Sequence, residues 1–321
     1  PSSLAAIAAR VEQRLREFLA PEEARWSAFD DDLAGPVAEI GRMVLVGGKR
    51  LRPAFCHWGF VGAGGDPADP MVVNAGAAFE LMHVFALFHD DVMDDAASRR
   101  GAPTTHTLFT ERHQQAQWAG EARRFGEGVA ILVGDLAFVY ADQLMSGASP
   151  AAWGIWNELR IELNIGQVLD IVGSVRNDRR RVKAERICRY KSGKYTIERP
   201  LHFGGALALC APEMQELYSA YGIPLGIAFQ LRDDLLGVFG DSSLTGKPAG
   251  DDLREGKRTA LIAYTYDRSD SGNQKVLDSL LGKADLNLAE IENLREIIID
   301  SGAKTHVEDL IEKLAEEALE A

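Results

Sequence analysis

The stretch Phe79-Glu80-Leu81-Met82-His83-Val84-Phe85-Ala86-Leu87-Phe88-His89-Asp90-Asp91-Val92-Met93-Asp94 decides how this chain reads. It is mostly apolar until it ends in aspartates. Wound as a helix, it places His83, Ala86, Asp90 and Asp94 at i, i+3, i+7 and i+11, on one stripe. Asp90 and Asp94 then lie one turn apart and can reach a common ion. Left alone, like charges at that spacing repel by roughly 0.2–0.5 kcal/mol. Magnesium suits such a pair, since it takes oxygen ligands and is held by one or two carboxylates plus substrate phosphates. By itself the cluster reads equally well as a solvated acidic helix end.

A second acidic pair narrows the choice. Residues 225–240 read Leu-Gly-Ile-Ala-Phe-Gln-Leu-Arg-Asp-Asp-Leu-Leu-Gly-Val-Phe-Gly, with Gln230 three residues before Asp233 and then Asp234. Core helices seldom tolerate two unpaired carboxylates. Two such interruptions facing one cavity would form a cage for several magnesium ions, and they hint at two halves facing each other.

Composition sets the frame. Of 321 residues, 46% are hydrophobic and 26% charged, an ordinary mix for a chain able to bury a large core without staples. The net charge of -13 argues against a nucleic-acid partner, which calls for a basic face, and it repels anions in general. Any anion site must be built locally, from clustered Lys and Arg or from bound cations. Cys56, Cys188 and Cys210 lack metal-type spacing and read as core thiols of a reducing compartment. No basic-plus-apolar leader stands at the start, Pro1 reads as a trimmed beginning, and no uninterrupted apolar run reaches the ~18 residues of a membrane span. The expected location is cytoplasmic, without stable membrane insertion.

Helical spacing recurs over 4–19, 71–97, 127–146, 151–175, 182–198, 213–238 and 257–268, and in an amphipathic tail, 287–319, whose charged face reads as solvated surface. Alternating strand patterns are scarce. Breaks fall at Gly62–Asp69, Gly101–Pro103, Ser146–Pro150, Arg176–Arg181 and Asp241–Asp251, the last rich enough in Gly, Ser, Asp and Pro to serve as a mobile flap. The expectation is an all-α fold, one domain over 1–321, built as a helical bundle around a central cavity.

Basic residues stand where a phosphate would need them. Gly47-Gly48-Lys49-Arg50-Leu51-Arg52-Pro53 packs three cations into a glycine-started turn before a helix. Arg offers a planar fork to phosphate and Lys a point charge, although such a turn alone reads more readily as a surface patch. Ser98-Arg99-Arg100-Gly101-Ala102-Pro103-Thr104 follows the first acidic motif, and Lys191-Ser192-Gly193-Lys194, Thr245-Gly246-Lys247-Pro248 and Lys257 complete the set. None is a P-loop, because Lys49 lacks the Gly-x-x-x-x-Gly lead and the following Ser/Thr.

Together these elements resemble the trans-isoprenyl diphosphate synthases of the polyprenyl synthetase family. The matches are Gly47 to Pro53, Glu80-x-x-His83, His89-Asp90-Asp91-x-x-Asp94, Arg99-Arg100-Gly101-x-Pro103-Thr104, Gly134-Asp135, Gly166-Gln167-x-x-Asp170, Lys191-Ser192-Gly193, Phe229-Gln230-x-x-Asp233-Asp234 and Thr245 to Pro248, in order from about residue 40 to 260. The resemblance implies a magnesium-dependent prenyltransferase that joins isopentenyl diphosphate to dimethylallyl, geranyl or farnesyl diphosphate. It implies magnesium, three ions in all, on Asp90, Asp94 and Asp233, with Asp91 and Asp234 in outer-shell or structural roles. It implies an isopentenyl diphosphate pocket of Lys49, Arg52, His83 and Arg100. The allylic diphosphate would be held by Arg99, Lys191, Lys247 and Lys257, with Ser192 and Gln230 beside the growing chain and Lys191 and Lys247 also assisting ionisation. A homodimer is implied as well.

Product length is read below the first motif. Phe85 is bulky, Ala86 small, and Met82 lies a turn deeper, a pattern similar to short- and medium-chain synthases, with geranylgeranyl diphosphate first and farnesyl diphosphate next. Two features depart from the family: Gly237 stands where many relatives have a third Asp, so no fifth-position ligand exists, and Ser192 replaces a common Thr. A class I terpene cyclase and a non-catalytic subunit of a heteromeric synthase are the competing readings. The first would have no use for Lys49, Arg52 and His83; the second typically lacks one Asp motif. Closure of the 241–251 loop with Lys247 would exclude water from a reactive cation. Lys247→Ala should therefore lower turnover more than metal affinity, and steady-state rates beside magnesium titrations would show an unchanged rate if it does not.

Overall fold

The computed structural model describes residues 3–176, 180–240, 250–283 and 285–321; the side chains of residues 174, 175, 191, 192 and 251 also fall outside the description. Its residues group into two compact units. One holds the chain through Ala152 together with Phe203–Cys210, the other Trp153–His202 and Ala211–Ala321.

The first unit contains α1 (Leu4–Phe29), α2 (Ala34–Leu45), α3 (Leu51–Gly62), α4 (Pro70–Met93), the hairpin of β1 (Ser98–Arg99) and β2 (Ala102–Pro103), α5 (Thr105–Gln115) and α6 (Ala122–Leu144). That hairpin is the only strand pairing among the described residues. α4 is its centre, packed along α6, α3 and α1. Asp69 caps it, accepting from the Met71 N–H at 2.8 Å, and Pro70 occupies the first turn, where its missing N–H costs nothing. Phe79, Leu81, Met82 and Phe88 are fully buried, and Phe79 meets Phe203 edge to face at 5.6 Å. By length and composition α4 could cross a membrane, yet most of its apolar window is buried inside the fold.

The second unit contains most of α7 (Pro150–Val175), then α8 (Arg181–Ile187), a π-wound segment Cys188–Glu198, the start of α9 (Arg199–Leu207), α10 (Pro212–Phe239), α11 (Asp251–Arg254), α12 (Ala260–Arg268), α13 (Ser271–Leu280), α14 (Leu288–Asp300) and α15 (Ala303–Glu320). Its core gathers Leu231, Leu235, Val238, Leu253, Leu261, Leu277, Ile291, Leu294, Ile298 and Val307. α10 packs against the π-wound segment and α15. Glycine sets the first contact: a Cβ at Gly226 would lie 2.5 Å from the Gly193 Cα, and one at Gly222 would lie 2.9 Å from the Glu198 Cα.

The all-α expectation holds. Among the described residues, α2, α3, α5, α9, α11 and α13 escaped the periodic reading. α3 is apolar on nearly every side, so no period shows, while α5 is dominated by Thr, His and Gln. The stretch 182–198 is helical but changes winding at Cys188, and the tail divides at Gly302, whose φ of 71° starts a new helix. Cys56 and Cys188 are buried, and desolvation pushes both thiols up, as core cysteines require.

Glu162 anchors the π-wound segment. It accepts from Arg199 Nε and Nη2, each at 2.7 Å, and from Lys194. Burial alone would raise its pKa, but the hydrogen bonds from Arg199 and Lys194 outweigh it and hold the carboxyl below its ordinary value of 4.5. Its ionised form therefore stabilises the fold at neutral pH, and that contribution fades as pH falls through the depressed pKa. Glu162→Gln leaves two cations buried without their acid. It should cost about 3–5 kcal/mol at neutral pH, measured by urea unfolding, with the gap to the parent narrowing in acid.

Candidate active site

The glycine-started turn is built around Arg50. Gly47 and Gly48 have φ of 101° and 157°, and Arg50 itself is left-handed at φ 49°, a conformation non-glycine residues hold only under constraint. The constraint is its side chain. Arg50 is buried, with Nη1 on Glu80, Nη2 on the Val44 carbonyl at 2.6 Å, and Nε and Nη2 on Glu12 Oε1 at 3.3 and 3.1 Å. Lys49, exposed, and Arg52, half-buried, flank this anchor.

The β1–β2 hairpin meets the same turn. Arg100 donates from Nη1 to the Gly47 carbonyl at 2.9 Å. The hairpin's base is fixed by the Thr104 hydroxyl on the Ala96 carbonyl at 2.7 Å and by Thr105 on Glu39 at 2.9 Å, with Glu39 also gripped by Arg42. These elements converge on His83. Part of its surface remains accessible, but its ring is desolvated. Burial first, then the positive fields of Arg52, Arg100, Arg99 and Arg50, hold its pKa well below the ordinary value. Burial and the neighbouring Arg99 and Arg50 likewise lower Arg100. Arg50 and Arg99 are offset by Glu80, Glu12 and Asp91, so the basic character of this side of His83 comes from Arg100 together with Lys49 and Arg52 on the neighbouring turn, and a diphosphate would match it.

The acidic motif runs along the same helix. Asp90 is half-buried and Asp94 exposed at the end of α4, while Asp91, 100° around the helix, is buried. Asp91 Oδ1 takes both Arg99 Nε and Nη2 at 2.7 Å, and Arg99 Nη2 lies 4.0 Å from Asp90. Desolvation leads and raises the Asp91 pKa despite that bond, and its Oδ2 has no partner among the described residues. Below the motif, Phe85 rests against His89 and Phe138 with ring centroids at 4.7 and 4.8 Å. Ala86 is half-buried and Met82 fully buried. His89 fills the space over Gly134, where a Cβ would approach its ring to 2.6 Å, so both are packing residues.

The second motif shows the same division of labour. Asp233 is exposed and Asp234 buried. Gln230 Nε2 donates to Asp234 Oδ1 at 2.7 Å, so Gln230 is already engaged. Burial, ahead of the charges of Asp252 and Asp233, pushes the Asp234 carboxyl up to about 7. The position one turn beyond Asp233 is not empty. A Cβ at Gly237 would fall 1.8 Å from Asp252 Oδ2, so the Asp252 carboxylate fills the side-chain space that glycine leaves. Its Oδ1 lies 3.4 Å from Lys257 Nζ, which also pairs with Glu255. Asp252 was missed in the sequence; the signal was a further Asp pair, Asp251-Asp252, beyond the end of α10. Lys247 and loop residues 241–249 lie outside the described residues, as do the side chains of Lys191 and Ser192.

Among the described residues no three His, Cys, Asp or Glu side chains are gathered to hold a metal unaided. The donor set nevertheless fits magnesium, which needs one or two carboxylates and completes its octahedron with water and phosphate oxygen.

The fold and these motifs define an isoprenyl diphosphate synthase, and comparison with known proteins agrees. The polyprenyl synthetase family profile matches residues 36–298. A crystal structure of geranylgeranyl pyrophosphate synthase from Corynebacterium glutamicum, complexed with isoprenyl diphosphate and magnesium, superposes with a TM-score of 0.93 at 37% identity, covering 99% of this chain and 92% of that one. Geranylfarnesyl diphosphate synthase of Aeropyrum pernix is 32% identical over 277 residues, covering 83% of this chain and 80% of its own length. Geranylgeranyl diphosphate synthase of Saccharolobus solfataricus is 31% identical, covering 87% and 80%. The chain belongs to the polyprenyl synthetase family and is a trans-prenyltransferase.

With burial first and the guanidinium fields second holding His83 neutral, its ring resonances should not titrate between about pH 6 and 8. Inorganic pyrophosphate, by offsetting the guanidinium charges, should bring its titration up toward that range; histidine NMR reads both.

Proposed function

We propose that the enzyme condenses isopentenyl diphosphate head to tail with an allylic diphosphate and releases geranylgeranyl diphosphate. The observation that carries this reading is that Arg100 is tied to the turn bearing Lys49 and Arg52, in the same unit as the helix that carries His83, Asp90 and Asp94. A cyclase ionises one diphosphate and needs no second anion pocket. Here Lys49, Arg52, His83 and Arg100 would hold isopentenyl diphosphate. Asp90, Asp94 and Asp233 would hold magnesium, three ions in all, and Arg99, Lys191, Lys247 and Lys257 the allylic diphosphate, with Ser192 and Gln230 along its chain. Arg99 comes to this role pre-oriented by Asp91, and Gln230 by Asp234.

Bound there, magnesium would take up the negative charge that builds on the departing diphosphate. The lysines and Arg99 add fixed positive charge to the same oxygens as the allylic C–O bond breaks. The pocket around His83 holds the double bond of isopentenyl diphosphate against the allylic cation, replacing a chance encounter with a bound one. The new C–C bond forms, and the released diphosphate takes the proton whose loss restores a double bond.

Phe85, braced by Phe138, and small Ala86 favour a C20 product over farnesyl or longer chains. Exposed Ile131, Leu132 and Val139 on α6 favour a homodimer, and unpaired buried thiols favour the cytoplasm. Radiolabelled isopentenyl diphosphate with dimethylallyl, geranyl or farnesyl diphosphate and Mg²⁺ tests the assignment. Label should appear in a C20 diphosphate, and Phe85→Ser should lengthen it. Absence of labelled prenyl diphosphate from every primer would sink the proposal.

A further inference from the structure

Gly226, Gln230, Asp233 and Gly237 fall at i, i+4, i+7 and i+11 on α10, one continuous stripe. On α4 the spacing i+7 and i+11 from His83 carries Asp90 and Asp94, two carboxylates one turn apart. On α10 the corresponding positions carry Asp233 and a glycine. The structure fills that gap from elsewhere in the chain. The Asp252 carboxylate lies where the Gly237 side chain would begin, with Oδ2 at 1.8 Å and Cγ at 2.5 Å from an ideal Cβ. A real side chain at 237 and the present place of Asp252 exclude each other.

Asp252 is held there by its neighbours. Leu253 is fully buried and pins α11 into the core. The Lys257 N–H donates to the Asp252 carbonyl at 3.0 Å, and Lys257 Nζ stands 3.4 Å from Oδ1. Oδ2 is thereby turned toward α10, one helical turn from Asp233, where side chains on one helix face stand about 5–6 Å apart.

We infer that Asp252 supplies the carboxylate missing from the second motif, reaching over Gly237 to hold magnesium, directly or through its water, together with Asp233. This rests on the magnesium reading of Asp233 given above. Gly237 is then the space that admits the ligand rather than the scar of a lost one. The arrangement rebuilds the one-turn carboxylate pair of α4 from two separate elements.

Magnesium binding to the full chain, measured by calorimetry and by the Mg²⁺-dependent rise in Tm with inorganic pyrophosphate present, tests this without turnover. Asp252→Asn should weaken binding by about 10–100-fold. Gly237→Ala should weaken it comparably although it removes no oxygen, because the methyl displaces Asp252. Alanine favours a helix interior over glycine, and a Mg²⁺-free Tm no lower than the parent's separates lost binding from unfolding. The exchange Gly237→Asp with Asp252→Gly should recover binding, since it moves the carboxylate back onto α10. Parent-like affinity in both single variants overturns the inference while leaving the function intact. A parent protein that binds no magnesium, with Asp233→Ala no different, overturns the reading beneath it as well.

Discussion

The Arg50–Glu80 ion pair sits where four helices of the first unit meet. Glu80 comes from α4, Glu12 from α1, the Val44 carbonyl from the end of α2, and Arg50 from the start of α3. A buried pair of this kind adds little net stability, because desolvation offsets its Coulomb attraction, but loss of either partner strands a charge. Its contribution here is position. The pair forces the left-handed turn at Arg50, which sets Lys49 and Arg52 on either side and brings the Gly47 carbonyl to Arg100. An acidic protein can thus carry a local patch of positive charge, because the counter-ion of its central arginine is placed behind it.

Each acidic motif divides its adjacent aspartates the same way. The leading residue, Asp90 or Asp233, keeps access to solvent, and the next, Asp91 or Asp234, turns inward to a fixed partner. Helical geometry alone dictates this, since neighbours on a helix point 100° apart. The inward carboxyls both have raised pKa values, with burial the first cause. Asp91 orients Arg99 and Asp234 orients Gln230, so the second aspartate of each pair is engaged by a side chain beside it.

Much of this was legible beforehand because it lies within single helices. The stripe of His83, Asp90 and Asp94 follows from a period of 3.6, and the all-α class from its repetition. The long amphipathic segments were found for the same reason. What was not legible depends on contacts between segments far apart in the chain. No spacing rule says that Arg50 faces Glu80 rather than phosphate, or that Asp252 folds back over Gly237. The sequence presents that glycine as a lost ligand; only the packing of α11 against α10 shows the space in use. Lys194 likewise reads as one more basic residue until Glu162, thirty-odd positions upstream, is seen between it and Arg199.

The apolar surface of α4 has a consequence for biosynthesis. Its helix forms early, but α6 follows later and Phe203, the edge-to-face partner of Phe79, later still. Until then the growing chain carries an uncovered apolar segment with the length and composition of a membrane span. Nascent chains in this state are prone to aggregate. The polar sequence on either side, and the aspartates that close the helix, are therefore an asset on the ribosome as well as in the finished enzyme.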